Sequence, residues 1–184
     1  MKKAGIIFGF IPLFIYGVIS GILIAGTIYA LAAATVACFI VGFNELKSRI
    51  ILTWTNLVLF SALLVAIGPF GQTWIIPYEG IIIYGTLAAI SFVSIFAGKP
   101  FTLQYARSMV DQKLWDNSFF IKSNYLITGV WGCVFLINTG LSAVGLVFQG
   151  VLFTITHAAT YLALAGGILF TVKYPEYIHK KYSK

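Results

Sequence analysis

The chain has 184 residues, of which 60% are hydrophobic and only 9% are charged, and its mean hydropathy is +0.96. A soluble domain carries roughly 25% charged residues, so this composition excludes an ordinary soluble domain and predicts an integral membrane protein. The formal net charge is +7, but the basic residues punctuate apolar runs and do not gather on one soluble face, which argues against a nucleic-acid-binding protein.

The first apolar run carries no charged residue from position 4 to position 43. Its start has the composition of a signal peptide, but the run continues without a small-x-small cleavage pattern, so we interpret it as retained in the membrane. About 20 residues are enough for one helix to cross a bilayer. The run therefore predicts two spans, 5–20 and 22–42, joined by a turn near Ser20 and Gly21.

Four more apolar runs complete a set of six predicted spans, at 50–69, 81–97, 122–142 and 149–172. Each is near the length that a membrane-crossing helix needs, and together they leave little sequence for a separate soluble domain. We therefore expect an all-α polytopic membrane protein that forms a single helical domain over residues 1–184.

The basic residues are distributed unevenly with respect to these six spans. Six crossings place the N-terminus, the turn at 44–49, the segment at 98–121 and the C-terminal tail on one side, and all twelve basic residues fall on that side. The positive-inside rule assigns such a side to the cytoplasm, so both termini are predicted to be cytoplasmic. The twelve are Lys2, Lys3, Lys47, Arg49, Lys99, Arg107, Lys113, Lys122, Lys173, Lys180, Lys181 and Lys184.

Aromatic residues are expected at the two membrane interfaces, where tryptophan and tyrosine form belts. The candidates are Trp74 and Tyr78 on the outer side and Tyr105 and Trp115 on the inner side. Within the first span, Gly17 and Gly21 form a GxxxG pattern that lets helices approach closely. The pattern predicts a packing face either inside the chain or in a homo-oligomer, and both interpretations stay open.

The segment between the fourth and fifth spans gathers charges that are rare elsewhere in the chain. On a helix over 101–115, its polar residues form one narrow stripe between apolar flanks, which is typical of an amphipathic helix that lies in the membrane interface or beneath the bundle. The stripe consists of Gln104, Arg107, Ser108 and Asp111. Its role is either to orient the two neighbouring spans or to bind a partner or lipid.

Residues at both ends of this segment are typical of helix boundaries. Glycine, here Gly98, commonly follows a helix C-terminus, and proline, here Pro100, suits the first turn of a new helix. Asp116, Asn117 or Ser118 is suited to cap the helix that follows. The sequence thus predicts a boundary on each side of the amphipathic stretch.

Three polar residues inside the predicted spans are candidates for function or for helix packing. His157 lies among apolar residues and threonines, and a single histidine lacks the co-ligands of a metal or haem site. A neutral His157 that bonds to a neighbouring helix is the simpler interpretation, and Asn56 and Asn138 have the same expected role. No cofactor and no metal are predicted.

The remaining reactive residues argue against an enzyme. The five acids map to loops or helix ends, both cysteines lie in apolar runs, and the sequence has no HExxH, GxSxG or P-loop motif. The acids are Glu45, Glu79, Asp111, Asp116 and Glu176, and the cysteines are Cys38 and Cys133. We therefore expect a non-enzymatic protein in contact with the lipid bilayer.

A series of short motifs occurs in a distinctive order between residues 8 and 142. An early proline, Pro12 in FGFIPLFIYG, is followed by TWIIPYEGIIIYG, by GKPF and by Trp115. A helix that carries Asn124, Trp131, Phe135 and Asn138 comes next. This order resembles the intracellular septation protein A (YciB) family of bacterial inner-membrane proteins.

The resemblance implies a multi-pass protein of the bacterial inner membrane with no known chemistry of its own. It implies support of envelope integrity, elongation and septation through contacts with other membrane proteins. Two features depart from the family's pattern. The family's basic outer-loop residues are replaced here by Ile76, Tyr78 and Glu79, and the spacing from Trp115 to the fifth span is longer.

Two functions are therefore compared. The first is a non-enzymatic envelope or division protein that acts through its helix faces and the 98–121 segment. The second is a small transporter or lipid-handling protein in which Pro12, the glycines and His157 line a cavity in the bundle. Polar residues that only tie helices together favour the first function, and polar residues that converge on a cavity favour the second.

Overall fold

The structure, a computed structural model, describes residues 5–22, 26–148 and 150–182. Every regular element in these ranges is a helix, in agreement with the predicted all-α class. The chain divides into two compact units, an N-terminal unit of residues 4–79 and a C-terminal unit of residues 80–184.

The N-terminal unit is built from three apolar helices and two short elements. They are α1 (Gly5–Ile22), α2 (Thr27–Ile40), α3 (Phe43–Lys47), α4 (Ile51–Ile67) and a 3-10 helix at Thr73–Tyr78. Helix α2 packs against both α1 and α4. Its buried face is made mostly of small residues, which lets the three backbones approach closely: Ala30, Leu31, Ala34, Ala37 and Cys38.

The first turn of the chain differs from the prediction. Ser20 and Gly21 are both helical, because α1 continues to Ile22 and α2 begins at Thr27. The Ser20 hydroxyl donates to the Gly17 carbonyl at 3.2 Å, so this polar side chain is satisfied inside the helix and does not break it. The turn predicted near Ser20 and Gly21 is therefore not at these two residues, which still belong to α1.

The C-terminal unit contains the longest helices of the chain. Its elements are α5 (Glu79–Phe96, of which only Glu79 belongs to the N-terminal unit), α6 (Phe101–Arg107), a 3-10 turn at Gln112–Leu114, α7 (Ser118–Val147) and α8 (Val151–Tyr182). Helix α8 packs along α7, and α6 also lies on α7.

Trp131 fills the seam between α7 and α8. It is 1% exposed, and its indole N–H donates to the Thr171 hydroxyl at 2.9 Å. Its ring lies so close to Gly167 that a Cβ added there would stand 3.2 Å from it. A glycine on α8 thus makes room for the largest buried side chain of the unit.

The predicted helix boundaries around α6 are present. Gly98 has φ +72, and the Lys99 N–H donates to the Ser94 carbonyl at 2.9 Å, which is the glycine-terminated end of a helix. Pro100 precedes the first residue of α6. Asn117 caps α7, with its side-chain oxygen accepting from the N–H groups of Phe119 and Phe120 at 2.9 and 3.2 Å.

The predicted helix over 101–115 is wrong beyond Arg107, where α6 ends. The Ser108 hydroxyl donates to the Tyr105 carbonyl at 2.8 Å. Asp111 has an extended backbone, and its side chain accepts from the Lys113 N–H at 3.1 Å. Short polar side chains that bond to nearby backbone groups compete with the helix, so the chain turns here.

Three helical stretches of the described residues are long and apolar enough to cross a membrane: Thr73–Phe96, Ser118–Val147 and Val151–Ile178. Three shorter apolar stretches accompany them, Gly9–Ser20, Thr27–Ile40 and Ile51–Ile67. Helix α8 also continues past its predicted end at residue 172, through Pro175. These lengths and compositions indicate a membrane protein.

Candidate functional site

The N-terminal unit buries one carboxylate. Glu79, which the sequence places beside a loop, is only 5% exposed. The Tyr16 hydroxyl of α1 donates to its Oε2, whereas its Oε1 is buried without a hydrogen-bond partner among the described residues. A hydroxyl donor offsets part of the cost of removing a carboxylate from water, and the N-terminal end of a helix favours a negative charge. Glu79 is thus held by a residue far from it in sequence.

A second buried polar group of this unit bonds to the helix that contains Pro12. Asn56 on α4 is fully buried, and its Nδ2 donates to the Gly9 carbonyl of α1 at 3.0 Å. Pro12 has no N–H, so α1 lacks the bond to the carbonyl four residues earlier. The bond from Asn56 reaches the next carbonyl and ties α4 to α1. The Oδ1 of Asn56 has no hydrogen-bond partner among the described residues, which leaves one buried acceptor open.

The short helix α3 is tied to the first turns of α4. The Thr53 hydroxyl donates to Glu45 Oε2, and the Trp54 indole N–H donates to the Leu46 carbonyl at 3.0 Å. Glu45 is half-buried. These contacts fix the 44–49 turn and explain the one acid of that turn as a structural residue.

In the C-terminal unit, α6 is a packed element. Thr102 donates to the Asn124 carbonyl of α7 at 2.9 Å, and its hydroxyl lies 2.7 Å from that of Thr128. The Phe101 N–H donates to the Ser94 hydroxyl at 3.2 Å. Tyr105, predicted to belong to the inner aromatic belt, is instead only 1% exposed. The apolar side of α6 is thus buried in the protein because it packs on α7.

The predicted polar stripe does not form one continuous surface. Gln104 and Arg107 are half-buried on α6, whereas Ser108 follows the helix and is exposed. Asp111 is exposed and begins the next turn. The stripe was derived from helical spacing, and that spacing is lost where the helix ends.

Arg107 meets Trp115 across this turn. The Trp115 indole N–H donates to the Arg107 carbonyl at 3.2 Å. The guanidinium carbon of Arg107 lies 5.4 Å from the centre of the Trp115 ring, within the range of a cation–π contact. Sequence reasoning named both residues but for separate roles, since their spacing did not predict a turn between them.

The four residues of the last motif in the predicted resemblance share one buried face of α7. They are Asn124, Trp131, Phe135 and Asn138. The Nδ2 of Asn138 donates to the Thr160 carbonyl of α8 at 3.5 Å, a long hydrogen bond. Its Oδ1 has no partner within the described ranges. Asn138 therefore contributes to the α7–α8 seam but leaves one acceptor open, as Asn56 does.

His157 lies on the exposed side of α8. Its ring centre is 4.3 Å from that of Phe153, one turn earlier in the same helix. It forms no hydrogen bond with any residue that the structure describes. The histidine is therefore placed away from the α7–α8 seam, on which Asn138 and Trp131 lie.

The other predicted positions fall on different surfaces. Trp74 and Tyr78 are exposed, and Trp115 is half-buried. Gly17 is buried within α1, whereas the surroundings of Gly21 lie outside the described residues. Of the predicted aromatic belts, only the outer one, Trp74 and Tyr78, therefore consists of exposed side chains.

Potential metal ligands are not clustered in the described residues. Within those ranges, no group of three or more His, Cys, Asp or Glu residues is placed to hold a metal ion. Cys38 is buried and Cys133 is exposed, both as free thiols.

Compared with models of protein families, with curated proteins and with solved structures, the chain matches none. The resemblance to the septation protein family therefore stays a prediction. Sequence reasoning missed the burial of Glu79, whose only local sign is an acid inside the apolar stretch TWIIPYEGIIIYG.

Proposed function

We propose that the protein is a non-enzymatic, multi-pass protein of the bacterial inner membrane that supports envelope integrity or septation through contacts with other membrane proteins and lipid. The hydrogen bonds of the buried polar groups support this proposal. Asn56, Thr102 and Trp131 direct their hydrogen bonds to neighbouring helices, as expected of a helical scaffold. The protein then acts through its outer faces.

The outer faces of α7 and α8 are the surfaces available for such contacts. Only 22% of each of their membrane-length stretches is buried. Exposed apolar residues are abundant on α8, and they include Val151, Ile155, Leu162 and Leu169. Faces of this composition suit lipid or the transmembrane helices of partners.

Six crossings with cytoplasmic termini are the topology that we propose. The support is the one-sided distribution of the twelve basic residues, together with three long and three shorter apolar helices. Helix α2 has 14 residues and is about 21 Å long, so it crosses a core of roughly 30 Å only with flanking apolar residues or local thinning.

Site-specific photocrosslinking in a bacterial inner membrane tests this function. A photoreactive side chain at Leu162, which is 73% exposed, is expected to capture envelope or division membrane proteins. The same side chain at Leu164, which is 2% exposed on the same helix, is the matched control. The proposal fails if Leu162 captures no such protein and deletion of the chain leaves the envelope unchanged.

A transporter or lipid-handling protein is the second candidate. The buried carboxylate of Glu79 and the open acceptor of Asn56 favour it, because polar groups inside membrane proteins often mark ion or substrate paths. Proton flux into vesicles loaded with a pH-sensitive dye provides a test. Flux that is lost in Glu79→Gln and kept in the exposed-acid control Glu176→Gln supports this candidate, and no flux above that of empty vesicles excludes proton transport.

A further inference from the structure

The turn between α6 and α7 presents a positioned guanidinium. Trp115 holds the backbone of Arg107 through its indole N–H, 3.2 Å from the carbonyl, and holds the side chain through its ring. One aromatic residue thus restrains both ends of the arginine. Restraint of this kind lowers the entropy that an arginine loses when it binds a ligand.

The guanidinium lacks an acceptor within the described part of the chain. Arg107 forms no ion pair there, and its Nε is buried without a hydrogen-bond partner. Asp111, the nearest acid along the chain, instead accepts from the Lys113 N–H. An arginine has five N–H donors in a planar fork. The Nε is closed off by the protein, but Arg107 as a whole is only half-buried, so a ligand with several anionic oxygens would bind through the terminal N–H groups of the fork.

The segment of the chain that carries Arg107 is basic and partly apolar. Lys99, Lys113 and Lys122 are exposed on the same segment or at the start of α7. Leu114 and Phe119, on either side of Trp115 in sequence, are also exposed. Basic residues beside exposed apolar ones are typical of contact with anionic lipid, where the charges meet headgroups and the apolar side chains meet the acyl boundary.

We propose that Arg107 and Trp115 form a binding site for the phosphate of an anionic phospholipid headgroup. The site rests on the proposed membrane topology, since α5 and α7, which flank this segment, are both part of stretches long enough to cross a membrane. The Arg107 fork binds the phosphate oxygens, and Trp115 keeps the fork oriented. The lysines add electrostatic attraction for the headgroup that depends less on the orientation of their side chains.

Lipid retention by the purified full-length protein tests the site. Phosphatidylglycerol is titrated into detergent micelles that contain phosphatidylcholine, and bound lipid is counted by native mass spectrometry. Arg107→Gln is expected to weaken phosphatidylglycerol binding at least about tenfold, because it removes both a charge and the fork. The matched control Lys113→Gln removes one charge from the same segment and is expected to weaken binding about fivefold or less.

Two further variants keep the test decisive if Arg107→Gln does not fold. Arg107→Lys keeps the charge but loses the planar fork, and Trp115→Leu keeps Arg107 but loses the ring and the indole N–H. Each is expected to weaken binding about threefold with the net charge unchanged. Helicity by circular dichroism and elution as a single species verify the fold.

Three results overturn the site. If Arg107→Gln and Lys113→Gln weaken lipid binding equally, the lipid is held by diffuse electrostatic attraction. If Arg107→Lys and Trp115→Leu both leave lipid binding unchanged, the oriented guanidinium has no role. Displacement of phosphatidylglycerol by millimolar inorganic phosphate assigns the site to free phosphate. The crosslinking test at Leu162 does not involve Arg107, so the failure of the lipid site and the failure of the proposed envelope function are observed separately.

Discussion

The two units of the chain use apolar helices in different ways. In the N-terminal unit, helices of 14 to 18 residues are connected by polar contacts between distant residues, Tyr16 with Glu79 and Asn56 with Gly9. In the C-terminal unit, helices of 30 and 32 residues meet along one seam and leave most of their surface uncovered. Similar compositions thus produce short helices joined by polar contacts in one unit and long helices with wide exposed faces in the other.

The difference indicates which apolar residues pack against other helices and which are left to contact lipid or partner helices. Short helices in the N-terminal unit place small residues and polar ties between backbones, which suits association inside lipid. Long helices have more apolar surface than one seam can bury, and the remainder suits lipid or partner helices. If the seam and the polar ties stabilise the two units, changes to them should lower the free energy of unfolding more than changes to exposed residues.

The largest expected effect is the loss of the C-terminal seam in Trp131→Ala. Truncation of a large buried aromatic residue costs about 3–5 kcal/mol in the free energy of unfolding. Trp74→Ala, at a tryptophan that is 67% exposed in the N-terminal unit, is expected to change it by less than about 0.5 kcal/mol. Denaturant titration in mixed micelles measures both, and equal losses would contradict the placement of Trp131.

Neighbouring glycines on α8 offer a sharper test of the same seam. A Cβ at Gly167 would lie 3.2 Å from the Trp131 ring, whereas a Cβ at Gly166 meets no atom within 4 Å. Gly167→Leu is expected to destabilise the protein by about 1–3 kcal/mol through overpacking. Gly166→Leu should be neutral or slightly stabilising, since leucine favours a helix more than glycine does. Thermal unfolding in detergent compares them, and a reversed order would place the seam on the wrong face of α8.

The polar tie of the N-terminal unit is tested by a double-mutant cycle. Tyr16→Phe and Glu79→Gln each alter the buried hydrogen bond between these two side chains. We expect each change to cost about 1–2 kcal/mol in the free energy of unfolding and the pair to be non-additive by about 1 kcal/mol. Tyr29→Phe, at an exposed tyrosine of α2, is the matched control. Additive effects of Tyr16→Phe and Glu79→Gln would mean that the two side chains do not interact.

The helices themselves could be predicted from the sequence because hydropathy marks every apolar run. The residues at which they end were harder to predict. The turn near residue 20 was misplaced because neither Ser20 nor Gly21 interrupts α1, which continues to Ile22. The break after Arg107 was missed because periodicity alone does not show that Ser108 and Asp111 bond to local backbone groups. The cap at Asn117 could be predicted because a short polar side chain directly before a helix is a local signal.

Site residues were predictable only where their chemistry was local. Asn56 stood out as an amide in an apolar run, but the burial of Glu79 depends on Tyr16, which lies 63 residues earlier in the chain. The inward face of α8 could not be identified because apolar residues surround the helix on all sides. For the same reason Tyr105, expected at the interface, is buried, since α6 packs on α7.

The smallest expected effect concerns His157 and separates the two faces of α8. Its side chain is exposed and contacts the Phe153 ring of its own helix, so His157→Leu should change the free energy of unfolding by less than about 0.5 kcal/mol. Asn138→Leu, on the seam side, removes an interhelical bond and is expected to cost about 0.6 kcal/mol or more. Unfolding titrations of both variants in the same micelles measure the difference. A loss above about 1 kcal/mol for His157→Leu would contradict the outward placement, because only a side chain bonded inside the protein produces a cost of that size.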